Sequence, residues 1–235
     1  MSNTSFQFKK FTIEQDQCAM KVGTDGVLLG AWTPVDGAAR ILDVGTGTGL
    51  IALMLAQRSD AARLVAVEVD AAAARQAQEN VDASPWSGRM SVVCQDFREF
   101  LTEVPFDLIV SNPPYFTDDM KSPDRQRTLA RHAGGLNYDL LFRRAAHLLT
   151  SGGQVSLIVP SDVEQEVRQA AWLHGFHPLH VTRVYTKSGK PCRRLLMLFG
   201  RQEEACRTDE LFIECGMQQY SEEYVALTRD FYLRF

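Results

Sequence analysis

The sequence predicts an α/β fold: a mostly parallel sheet with helices on both faces, ending in an antiparallel hairpin. Three observations carry this. From residue 40 to residue 174, short apolar runs rich in Val, Ile and Leu alternate with helical stretches, and such alternation gives parallel strands joined by crossover helices. The runs 180–185 and 193–199 are joined only by "TKSGKPC", too short for a crossover helix, so they pair antiparallel. Finally, 235 residues at 45% hydrophobic and 23% charged suit one large α/β domain.

Residues 1–33 form an N-terminal extension. Within it "FKKFTIEQDQCAMKV" suits a small hairpin, and "TDGVLLGAW" reads as a helix capped by Thr24 and Asp25. The core spans 40–200. Its parallel strands are Arg40–Val44, Leu64–Val69, Met90–Cys94, Phe106–Val110 and Gln154–Val159. Helices Leu50–Gln57, Ala71–Asn80, Tyr138–Leu149 and Asp162–His174 lie between them. Asn137 and Ser161 stand where N-caps belong, and Ser161 with Glu164 fits a capping box. The strands His180–Tyr185 and Arg193–Phe199 bring the count to seven. Residues 202–235 are a C-terminal appendage ending in a helix over "SEEYVALTRDFYLRF", with Ser221 as cap and acids in the first turn.

Composition excludes several classes. No apolar run approaches the ~18–20 residues that span a bilayer, and the first twenty residues contain no apolar signal-peptide core. Five cysteines, odd in number and without a C-x-x-C pair, fit reduced thiols in a cytoplasmic protein. His174, His177 and His180 straddle a helix end and a strand start, so no metal is expected from them. The net charge of −4 hides a strong segregation: residues 1–120 carry −7, residues 121–201 carry +8, and residues 202–235 carry −5. A basic middle segment can hold phosphates whatever the chain average.

Four motifs carry chemistry. In "ILDVGTGTGLIAL" a strand ends at Asp43-Val44, and Gly45, Thr46, Gly47 and Gly49 lead into a helix. Glycines there permit positive φ and let a ligand approach the backbone closely. The G-x-G-x-G spacing differs from the dinucleotide fingerprint, and no lysine follows as in a triphosphate loop. The next strand ends in Glu68, a carboxylate placed to accept bonds from both hydroxyls of a ribose, while Asp70 sits as a helix cap. After the third strand, "CQDF" offers Asp96 to an adenine amino group and Phe97 to the ring. The fourth strand ends in Asn112-Pro113-Pro114-Tyr115. These residues fall at the carboxyl ends of successive parallel strands, where such sheets bind ligands.

Taken together, residues 40–160 resemble the S-adenosylmethionine site of class I methyltransferases, a Rossmann-like fold whose sheet carries one inserted antiparallel strand. The resemblance implies S-adenosylmethionine as cofactor. It implies cofactor contacts for Asp43, Gly45, Thr46, Gly47, Gly49, Glu68, Val69, Asp96, Phe97 and Asn112, with Thr24 and Asp25 against the methionine end. In methyltransferases acting on planar nitrogens, [N/D]-P-P-[Y/F/W] follows the fourth strand. An exocyclic amine has its lone pair delocalised into the ring and is a poor nucleophile. Two acceptors on its N–H groups, the Asn112 side-chain oxygen and the Pro113 carbonyl, draw the nitrogen toward sp³. Pro113 and Pro114 stiffen that carbonyl, and Tyr115 stacks on the flipped base.

The tetrapeptide alone leaves adenine N6, cytosine N4, guanine N2 and a protein glutamine amide open. Release-factor glutamine methyltransferases usually carry about seventy helical residues before the first strand, and guanine-N2 ribosomal RNA enzymes tend to have Phe in place of Tyr115. A non-catalytic S-adenosylmethionine- or RNA-binding adaptor would have no need of the amine-polarising pair. The stretches "FKKFTIEQDQCAMKVGTDGVLLGAW", "QENVDASPW", "VSNPPYF", Lys190-Pro191-x-Arg193 and "QYSEEYVALTRDFYLRF" resemble the bacterial tRNA (adenine-N6)-methyltransferases that modify the adenine beside the anticodon of a valine tRNA. That resemblance covers nearly the whole chain. It implies a cytoplasmic enzyme acting on valine tRNA, and a monomer is expected. The basic stretches "DRQRTLARH" (Arg125, Arg127, Arg131) and "TKSGKPCRR" (Lys187, Lys190, Arg193, Arg194) both belong at the carboxyl edge of the sheet, where an RNA backbone must lie.

Overall fold

In the computed structural model, residues 4–18, 20–60, 62–113, 136–216 and 219–234 are described. A nine-stranded sheet organises them. Its parallel half comprises β3 (Arg40–Val44), β4 (Arg63–Glu68), β5 (Met90–Cys94), β6 (Phe106–Ser111) and β7 (Leu149–Pro160). The inner strands β3 and β6 and the second half of β7 are apolar runs buried on both faces, as parallel strands between helical layers must be, while β5 at the sheet edge is more exposed. β8 (His177–Lys187) and β9 (Cys192–Gly200) form the expected antiparallel hairpin, with β9 inserted between β7 and β8. β8 therefore runs in the same direction as β7, and its loop returns to the carboxyl edge.

The sheet continues beyond the expected seven strands. β10 (Arg207–Gly216) pairs parallel with β8, and β11 (Gln219–Tyr220) pairs antiparallel with β10. "RTDELFIECG" buries Leu211 and half-buries Ile213 between charged residues. That is the pattern of an outer strand with one wet face, and its charge content disguises it. The Asp209 carboxylate holds it to β8 by accepting from Thr182 and pairing with His180. The full order is β11-β10-β8-β9-β7-β6-β3-β4-β5. The N-terminal hairpin, β1 (Ser5–Gln7) with β2 (Thr12–Glu14), is a separate two-stranded sheet that begins earlier than expected.

Helices cover both faces. On one side α1 (Thr24–Trp32), α2 (Leu50–Arg58), α6 (Glu222–Thr228) and the N-terminal hairpin share a core with Phe8, Ile13, Leu28, Leu53 and Phe231. On the other, α4 (Tyr138–Leu148) and α5 (Glu164–Leu173) bury Phe142 and Phe176 against Phe106 and Phe199. The helix α3 (Ala71–Asp82) follows β4. Asn137 and Ser221 cap α4 and α6 as expected, accepting from the Leu140 and Tyr224 amides.

Two expected caps are absent. The Ser161 hydroxyl donates instead to the Cys192 carbonyl at 2.8 Å, and Ser161–Val163 form a 3₁₀ turn before α5. Glu164 is drawn away from a capping box by Arg168 and Arg183, at 2.9 Å each. Helix α1 is capped by Gly23 without a side-chain bond, which puts Thr24 and Asp25 inside its first turn.

Candidate active site

The glycine loop leaves β3 with φ of +71° at Gly45, +57° at Gly47 and +83° at Gly49, the left-handed region that side chains with a Cβ resist. A Cβ added at Gly45 or Gly47 would meet nothing within 4 Å, so this backbone borders open space. Asp43 holds the loop from below. Its Oδ2 accepts from the Thr46 hydroxyl at 2.6 Å and from the Ala52 amide at 3.2 Å. Its Oδ1 has no hydrogen-bond partner among the described residues. Burial pushes the Asp43 carboxyl up to about 7, and the Glu68 charge adds to the push against the two bonds.

Glu68, at the end of β4, holds the loop from above. Its Oε2 accepts the Gly47 amide at 2.9 Å, and its Oε1 accepts the Val69 and Asp70 amides at 2.9 and 3.0 Å. Asp70 caps α3 through the Ala72 and Ala73 amides, as expected. Asp96 is gripped by Arg98, with the Arg98 Nε at 2.9 Å and its amide at 2.8 Å. That contact holds the carboxyl below the usual range. Phe97 is buried among Val44 and Val67 and floors a cavity of about 200 Å³ whose walls include Gly45, Glu68, Val69 and Asp96.

A second cavity, of about 360 Å³, lies on the other side of Gly45. Its walls include Lys21, Thr24, Asp25, Thr46, Leu50 and Asn112. Helix α1 reaches this position because Gly26 and Gly30 let it pack closely on α2. A Cβ on Gly30 would stand 2.8 Å from Met54, and one on Gly26 would stand 3.0 Å from Leu50. Arg58 of α2 adds bonds to the Gly30 and Thr33 carbonyls at 2.9 and 2.6 Å. Asn112 is fixed by the strand before it: the Ser111 hydroxyl donates to the Val44 carbonyl at 2.8 Å, tying β6 to β3 just before the glycine loop. Pro113 follows and is buried.

The structure thus brings Thr24, Asp25, Asp43, Gly45, Thr46, Gly47, Glu68, Val69, Asp96, Phe97 and Asn112 around two cavities that share Gly45 as a wall residue. Gly49 caps α2 from the far end of the loop. Pro114, Tyr115, Arg125, Arg127 and Arg131 lie outside the described residues. In the hairpin, Lys187, Lys190 and Arg193 are exposed. Arg194 turns inward, its Nε donating to Asp25 Oδ2 at 2.7 Å. The histidines have separate partners, His174 with Asp139 and His180 with Asp209.

Residues with no chemical motif complete the site. Asn80 of α3, buried, donates to the Thr48 carbonyl in the glycine loop and to the Glu14 carbonyl, and accepts the Glu14 amide, each at 2.9 Å. Gln76, one turn earlier, accepts the Gln17 amide at 3.0 Å. The N-terminal extension is thereby stitched over the loop. Two polar residues four apart on one helix are all the sequence offers as a signal, and nothing in it marks them as buried.

The methyltransferase small domain family matches residues 22–179. A tRNA1(Val) (adenine(37)-N6)-methyltransferase of Bacteroides fragilis is 49% identical, covering 100% of both chains. One from Bacteroides thetaiotaomicron is 52% identical, covering 99% of both. The crystal structure of a predicted O-methyltransferase from Agrobacterium tumefaciens superposes with a TM-score of 0.70 at 22% identity, covering 88% of this chain and 96% of that one. This last likeness shows the fold.

Proposed function

This chain belongs to the methyltransferase small domain family, alongside the tRNA1(Val) (adenine(37)-N6)-methyltransferases, and from that premise we propose that it methylates N6 of adenine 37 in a valine tRNA, using S-adenosylmethionine. The observation that carries this reading is the position of Asn112, on the wall of the cavity shared by the glycine loop and the first turn of α1.

The donor supplies an electrophilic methyl group on a sulfonium. The two cavities sharing Gly45 suit an elongated ligand with an amino-acid end and a nucleoside end. Glu68 and Asp96 offer carboxylate acceptors to the nucleoside, Phe97 offers an apolar floor, and Thr24, Asp25 and Thr46 surround the amino-acid end. The Asn112 side-chain oxygen and the Pro113 carbonyl accept the two N–H bonds of the adenine amine. Holding both N–H groups out of the ring plane returns the lone pair to nitrogen, and no strong base is required. Tyr115, which lies outside the described residues, is assigned to stacking on the base. The exposed Lys187, Lys190 and Arg193, with Arg125, Arg127 and Arg131 of the preceding basic stretch, neutralise RNA phosphates.

We place the enzyme in the cytoplasm as a monomer. Among the described residues no helix is long and apolar enough to cross a membrane, and no group of three metal-ligating side chains is found. The test is to offer labelled S-adenosylmethionine with total tRNA, ribosomal RNA and release factor in separate reactions. N6-methyladenosine at the anticodon-adjacent adenine of valine tRNA is expected, and label in release factor alone would overturn the substrate.

A further inference from the structure

A third cavity, of about 840 Å³, opens beside the proposed methyl-transfer site. The two share Gly23, Thr24 and Asp25 as a common wall. Its opposite side comes from the β8–β9 hairpin, from β10 and from the C-terminal residues, with Arg193, Arg194, Tyr220, Tyr224, Tyr232 and Arg234 contributing. Its volume falls in the range of small-molecule sites, roughly 300–1,000 Å³. Aromatic faces and guanidinium groups together are what an unstacked nucleotide needs, a platform for its base and cations for its phosphates.

The platform is built rigidly. Tyr220 is half exposed, and its ring lies 5.2 Å from the buried Tyr224 ring at 34°. The next residue, Ser221, is fixed from both sides. Its amide donates to the Ile213 carbonyl at 2.9 Å, and its side chain caps α6 by accepting the Tyr224 amide at 3.0 Å. Tyr224 in turn meets the Tyr232 hydroxyl at 3.4 Å. Arg193 and Arg234 are exposed at the rim.

We propose that this cleft is a subsite for a second nucleotide of the substrate RNA, adjacent to the target adenine, with its base on Tyr220 and its phosphates toward Arg193 and Arg234. The proposal rests on the RNA reading of the neighbouring cavity. A base drawn into the methyl-transfer cavity leaves its stack and exposes the face of its neighbour. The shared wall at Thr24 and Asp25 places the cleft next to that opening, and a stacked neighbour holds the flipped state open. Because stacking reads a π-face and not an edge, the subsite tolerates any base.

The experiment uses a valine tRNA anticodon stem-loop with 2-aminopurine at each position flanking the target in turn. Wild-type protein should quench the fluorescence at one of the two positions. Tyr220→Phe should keep that quenching, whereas Tyr220→Ala should lose it and weaken RNA affinity about tenfold, with the affinity for S-adenosylhomocysteine retained. Equal quenching in Tyr220→Ala and wild type would overturn the subsite, as would methylation of the stem-loop with no quenching at either position. Failure of the wild type to methylate valine tRNA would overturn both the subsite and the RNA reading beneath it.

Discussion

The Glu68 carboxylate accepts the Gly47 amide at 2.9 Å, linking the end of β4 to the glycine loop beyond β3. Its other oxygen accepts the Val69 and Asp70 amides. One side chain thus orients three backbone groups and presents its charge to a cavity that Val69 and Asp96 also line. Glu68→Gln removes the charge and half of the accepting capacity. Since hydrogen bonds to charged groups contribute about 1.5–3 kcal/mol, affinity for S-adenosylhomocysteine should fall at least about tenfold. The Gly47 amide should also exchange faster. Unchanged affinity by titration calorimetry would remove Glu68 from the cofactor site.

Asp43 sets a pH dependence of stability. Its folded carboxyl titrates near 7, against 3.8 for an ordinary aspartate, because it is buried. A raised acid binds more protons folded than unfolded, so the favourable contribution is full below about 4 and is lost as pH rises to about 7. Wild type should therefore lose stability relative to Asp43→Asn across that window, and the difference should level off above it. Urea unfolding at stepped pH measures this, and a flat difference from pH 4 to 7 would contradict it.

Arg193 and Arg194 are adjacent in sequence and opposite in role. Arg194 pairs with Asp25 in the wall of the cofactor cavity, while Arg193 is exposed beside the hairpin loop. Arg193→Ala should reduce the slope of log affinity for tRNA against log salt by about 1. Arg194→Ala should mainly raise the KM for S-adenosylmethionine. Equal effects of the two variants on both measurements would refute the division.

The strand-end chemistry was legible because parallel strands place their carboxyl ends in one line, so Asp43, Glu68, Asp96 and Asn112 could be assigned to one edge from sequence. Contacts that depend on distant partners could not be read. Ser161 looks like a cap until the Cys192 carbonyl arrives from the hairpin. Arg194 looks like surface charge until α1 brings Asp25 to it. β10 hid behind its charges, because an outer strand with one wet face lacks the apolar run by which the central strands announce themselves. Nothing in the sequence distinguishes Asn80 and Gln76 from the other polar residues of α3, yet they meet backbone groups about sixty residues away in sequence.

Asn80 yields a stability prediction. Asn80→Ala would remove the side-chain partner of the buried Thr48 carbonyl and of the Glu14 backbone groups. The cost should be about 2 kcal/mol, or a Tm lower by about 6 °C for a chain of this size. Limited proteolysis should cut sooner in the N-terminal extension. A melting temperature within a degree of wild type would show that water replaces the amide without loss.

The central claim is that Asn112 polarises the amine that accepts the methyl group. Single-turnover methylation of valine tRNA by Asn112→Ala, paired with calorimetry of S-adenosylhomocysteine binding, tests it most directly. The predicted result is a rate lower by roughly 10²–10³-fold with cofactor affinity changed far less than the rate. Methyl transfer at the wild-type rate would contradict the claim.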